Sequence, residues 1–112
     1  MIIKPWYYNT AVHMWRFYFR AMDANPDKMT EPNKLNWQAC DRVFKITDPA
    51  HIDAMRMYYM TEIGKFNDMK AVKDYSSRNG MPEADIWDII NTANYSVIVE
   101  RGLMDRRDKP NE

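Results

Sequence analysis

Only three glycines punctuate this chain, and no run of short strands parted by turn dipeptides occurs along it. Sheets of antiparallel strands need such turns, so the shortage points to helices. The punctuation that does occur is helical. TDPAH at 47–51 is a start signal, with Thr47 or Asp48 as cap and Pro49 in the first turn, where a missing N–H costs nothing. RNGM at 78–81 is a tight turn. Arg101-Gly102 is a stop, because glycine suits the left-handed position after a helix.

Between these marks the apolar residues recur at helical spacing. A first helix, capped by Asn9 or Thr10, runs to about Asp23 with Val12, Trp15, Phe19 and Met22 as its buried stripe and His13, Arg16 and Arg20 opposite. ANPDKMTEPN then breaks the chain with two prolines. A second helix covers roughly 31 to 46, with Leu35, Ala39, Val43 and Ile46 on one ridge and Trp37, Cys40 and Phe44 on another. Lys34, Gln38, Asp41 and Lys45 face water. The third helix spans about 49 to 61, turns Ile52, Met55 and Tyr59 inward, and gives way at Gly64. A fourth runs from about Asp68 to Arg78, capped by Asn67 or Asp68. Pro82 opens the fifth, about 82 to 100, with Ile86, Ile89, Ile90, Ala93 and Val97 inward.

The expected fold is therefore all-α. About five helices make one compact domain over residues 1–103, with a helix-turn-helix at about 68–100 and a polar tail at 104–112. Trp15, Phe19, Trp37, Phe44, Ile86 and Ile90 are the expected heart of its core.

Composition limits the function classes. Apolar residues make up 46% and charged residues 29%, a globular balance. Sixteen basic and sixteen acidic side chains cancel, so any nucleic-acid binding must come from a local patch. MIIKPWYYNT has no apolar stretch long enough for the signal peptide one would expect of a secreted chain, no run approaches membrane-spanning length, and the single Cys40 has no internal disulfide partner. An intracellular location and no membrane partner are the default expectations. Ten methionines are many for this length. They fit either as adaptable core filler or as an adaptable protein-binding surface.

No catalytic set emerges, so the chain reads as a non-enzyme without cofactor or metal. His13 and His51 lie on different helices, without a further ligand at metal spacing. Cys40 sits between apolar ridges and reads as a small buried hydrophobe. Glu83, Asp85 and Asp88 are more simply a solvated helix start, favoured by the helix dipole, than a hard-metal site.

The stretch from Ala71 to Gly102 has the most shape. With Gly80 in the turn, Tyr75 and Ser76 fall where two helices cross closely, and Ile86 and Ile89 occupy inward positions of the second helix. That is the steric logic of a helix-turn-helix, with one departure: Asn79 precedes the glycine, where an apolar residue is usual.

ACDRVFKITDPAHIDAMRMYYMTE, followed by AVKDYSSRNGMPEADIWDIINTANYSVIVERGL, resembles the C-terminal promoter-reading region of bacterial sigma factors. It is more similar still to small sigma-like proteins of phages and prophages of Gram-positive bacteria, which often finish in ERGL. The likeness covers about residues 39 to 103. It implies that the start of the second motif helix contacts DNA, and the matching positions are Pro82, Glu83, Ala84, Asp85, Trp87 and Asp88. Three acids there repel a phosphate backbone. Basic residues cluster nearby instead: Lys65, Lys70, Lys73 and Arg78 before the turn, Arg101, Arg106 and Arg107 after the helix.

The expected function is a small phage- or prophage-type regulator in the cytoplasm of a bacterial host, acting on DNA or on RNA polymerase. Lys70, Lys73, Arg78, Arg101, Arg106 and Arg107 would hold phosphates, with Ser77, Arg78 and Trp87 nearest any base edge. The competing expectation is a non-enzymatic inhibitor of a host or defence enzyme, such as an anti-CRISPR-type protein. It would use Glu83, Asp85, Trp87 and Asp88 as a phosphate-mimicking face against the basic surface of a nucleic-acid-handling enzyme. A structural subunit of a larger particle is the third, and homodimerisation is left open.

Overall fold

Each helix begins where local chemistry permits and stops where it forbids. The computed structural model describes residues 4–61 and 67–104. Within them lie five helices: α1 (Tyr8–Arg20), α2 (Glu31–Lys45), α3 (Pro49–Tyr59), α4 (Asn67–Asn79) and α5 (Glu83–Arg101), with a short 3-10 turn at Pro26–Lys28. Among the described residues there is no strand.

Asp48 caps α3 as its sequence suggests, its Oδ1 accepting from the Ala50 N–H at 2.8 Å, with Pro49 following it in the first turn. Gly102 closes α5 in the left-handed region (φ 83°). There the Leu103 N–H reaches the Ile98 carbonyl and the Gly102 N–H that of Val99, both at 3.0 Å, a Schellman closure that satisfies the last carbonyls. At α1 the expectation differs from the outcome. Asn9 and Thr10 lie inside the helix, Tyr7 stands at the cap position without a side-chain bond, and the helix ends at Arg20. Gly64 lies outside the described residues, as does the Asn67 side chain.

The core is aromatic. Trp15 is wholly buried, stacks on Phe19 and Tyr59, and donates its indole N–H to the Ala93 carbonyl at 3.1 Å. Ile86, Ile90, Val97 and Ile98 of α5 are equally buried. This last helix packs against each of the other four and forms the centre of the fold. Trp37 and Phe44, expected in the heart of the core, are half-buried at its rim, and Trp37 still donates to the Ala21 carbonyl at 2.8 Å.

Several residues depart from the helical-wheel reading. Arg16, expected on the water face of α1, is buried because α1 packs against α2, α3 and α5 together. Ile46 is 86% exposed, since α2 ends one residue earlier and the chain turns away from the ridge. Asp41 accepts the Tyr18 hydroxyl at 2.8 Å and so links α2 to α1 rather than simply facing water. The described residues have a radius of gyration of 14.0 Å.

Candidate functional site

α4 is a two-sided helix. Val72 and Tyr75 turn into the core, while Lys70, Lys73, Ser77 and Arg78 are exposed. Positions 70, 73 and 77 follow the three- and four-residue steps that align side chains along one face. Three residues, Gly80 to Pro82, then join α4 to α5. Gly80 adopts φ 70°, a conformation other residues take only with strain, and no atom stands within 4 Å of where a Cβ would lie. The chain reverses there without crowding. Asn79, the departure from the usual motif, is exposed and donates from Nδ2 to the Tyr75 carbonyl at 3.0 Å. In place of an apolar contact it satisfies the end of α4.

The exposed start of α5 is acidic. Glu83, Asp85 and Asp88 all face solvent, and among the described residues none takes part in an ion pair. No side chain caps this helix, so its first N–H groups and dipole are what the acids complement. Trp87 is half-buried beside them. Its ring meets Tyr58 edge to face, with centroids 5.6 Å apart, so part of the indole is packed on α3.

The expected basic cluster is only partly brought together. Lys70, Lys73 and Arg78 share α4. Arg101 stands at the far end of α5, about 27 Å along its axis from Glu83. It donates from Nε to Asn36 Oδ1 at 2.8 Å, and Arg42 beside that end pairs with Glu100 at 2.6 Å. Lys65, Arg106 and Arg107 lie outside the described residues.

Arg56, Met57 and Met60, which sequence reasoning passed over, line a groove between α3 and α4 with a volume near 480 Å³. Arg56 and Met57 come from α3, Met60 from the cap position just after it, and Tyr75 and Arg78 from α4. Asp53 lies in the same groove and accepts the Tyr75 hydroxyl at 2.7 Å. Burial first, and this bond second, push the Tyr75 hydroxyl up to about 12. An outward arginine on a short helix gives no signal in sequence, since only packing decides what it faces.

Cys40 is wholly buried, and burial with the neighbouring Asp41 charge pushes its thiol pKa up, away from nucleophilic thiolate. His13 and His51 are both exposed, on α1 and α3. Among the described residues no group of three His, Cys, Asp or Glu is disposed to hold a metal ion, and no helix is long and apolar enough to cross a membrane. The chain matches no protein-family model, and comparison with curated proteins and with solved structures finds no match.

Proposed function

We propose that this chain is a small helix-turn-helix regulator of transcription, of the sigma-like kind that phages and prophages carry, holding DNA with the exposed face of α4. One observation carries the reading. Two helices joined by a three-residue glycine turn pack on α3 and bury Val72, Tyr75, Ile86 and Ile90, leaving Lys70, Lys73 and Ser77 along one exposed face of α4 and Arg78 exposed at its end. Lys70, Lys73 and Arg78 hold phosphates, while Ser77 and Arg78 stand nearest a base edge. The bacterial cytoplasm is the compartment and RNA polymerase the fitting protein partner. Arg101, tied to Asn36 at the other end of α5, belongs to the scaffold in this reading.

With three basic contacts, the logarithm of affinity should fall with the logarithm of salt at a slope of about −3, and Arg78→Ala should remove about one unit of it. Mobility-shift titrations with mixed duplex fragments at several salt concentrations measure both. No retardation at micromolar protein and low salt overturns the reading.

A second reading rests on the unpaired acids. Glu83, Asp85 and Asp88 mimic a phosphate run and dock the basic surface of a nucleic-acid-handling enzyme, as an inhibitor of a host or defence activity would. The two readings give opposite signs for one change. Asp85→Asn with Asp88→Asn tightens DNA binding by lifting repulsion, or weakens inhibition by slowing association at low salt.

A further inference from the structure

The groove between α3 and α4 carries two arginines that, among the described residues, no carboxylate pairs with. Arg56 lies with its guanidinium 5.2 Å from the Phe19 ring centroid, and its Nη1 approaches the Met22 sulfur at 3.9 Å. Arg78 makes one long bond, from Nε to the Asp74 carbonyl at 3.4 Å. Both are exposed, and among the described residues neither meets a carboxylate in an ion pair. The ring face and the thioether hold the Arg56 fork partly ordered without neutralising it. Asp53 also lines the groove, where its Oδ2 accepts the Tyr75 hydroxyl, so the two arginines outnumber the carboxylate there.

Two methionines line the same groove. Met57 is half-buried and Met60 is 48% exposed, an unbranched thioether left in water beside two cations. Methionine at an open surface suits a partner side chain whose shape is not fixed in advance. A free phosphate would use the cations and leave these methionines bare.

We propose that the α3–α4 groove docks an acidic segment of a partner protein, with carboxylates on Arg56 and Arg78 and one apolar side chain seated on Met57 and Met60. Charge complementarity sets the chemistry: arginine forks match carboxylates in paired hydrogen bonds, and such pairs gain when an apolar neighbour excludes water. The site shares Arg78 with the candidate DNA face, while Lys70 and Lys73 do not line the groove, so DNA and an acidic partner compete for that one side chain.

Fluorescence anisotropy tests this with a labelled synthetic peptide carrying two glutamates on each side of a single leucine. The full chain should bind it, and the version with glutamine in place of glutamate should not bind. Arg56→Ala with Arg78→Ala should weaken binding roughly tenfold or more, which two exposed charge pairs together supply. If Arg56→Ala disturbs the fold by circular dichroism, Arg78→Ala alone carries the test, since Arg78 holds only a main-chain carbonyl. Equal binding of the glutamine peptide, or an unchanged double variant, overturns the proposal. So does loss of DNA retardation or of self-association with Arg56→Ala, because the occupant would then be a phosphate or a second copy. The DNA reading is judged separately by Lys70→Ala and Lys73→Ala, which leave peptide binding intact.

Discussion

Trp15 and Trp37 were both legible as apolar positions at helical spacing, yet they differ in what their removal costs. Trp15 has no exposed surface, two stacked neighbours and a satisfied indole N–H, whereas Trp37 keeps one side in water. Trp15→Ala should therefore destabilise by about 3–5 kcal/mol, the upper range for a buried aromatic, and Trp37→Ala by clearly less. Urea denaturation of both variants gives the comparison, and equal losses would contradict the packing. Periodicity marks which residues are apolar but not how many helices cover them. Arg16 makes the same point from the other direction: a wheel drawn for α1 alone places it in water, while three packed helices enclose it. Its Nε and Nη1 have no hydrogen-bond partner among the described residues. Asn94, equally enclosed, is held by Tyr59, whose hydroxyl donates to its Oδ1 at 2.5 Å.

At the scale of elements, the sequence was most readable where backbone chemistry alone decides. Asp48-Pro49, Gly80 and Gly102 act through capping geometry and positive φ, which need no knowledge of the neighbours. Gly80→Ala should cost roughly 1–2 kcal/mol, the strain of a left-handed residue, because no atom lies close enough to add a clash. A much larger loss in a thermal melt would mean that the α4–α5 turn is crowded rather than merely strained. The candidate DNA face on α4 was legible as a spacing of basic residues. Its separation from Arg101 was not, since the length of α5 matters only once both ends are placed. The α3–α4 groove was not legible at all, because it belongs to two helices whose crossing brings Arg56 and Arg78 to one cleft.

Over the whole molecule, tyrosine hydroxyls are a shared stabilising resource. Burial raises Tyr7, Tyr18, Tyr58, Tyr59 and Tyr75 above their ordinary value of 10.0, helped at Tyr18 by Asp41, at Tyr58 by the Tyr8 hydroxyl and at Tyr75 by Asp53. The native state thus favours the neutral phenol. That contribution is complete below pH about 10, where both states are protonated, and is lost as pH rises above it, for Tyr75 as pH climbs through about 12. Phenolate absorbance followed together with circular dichroism should show these hydroxyls ionising as the helices melt. Ionisation of most of them at pH 10 with the fold intact would refute the burial described for them. The position of α5 bears on how the protein is made. Helices α1 to α4 are synthesised first, but the surfaces they must cover belong to residues 86–98 of α5. Until those residues leave the ribosome, the aromatic side chains of α1 and α3 have one another and α2 but lack the cover of α5, and a nascent chain carries that side exposed to chaperones and to its neighbours.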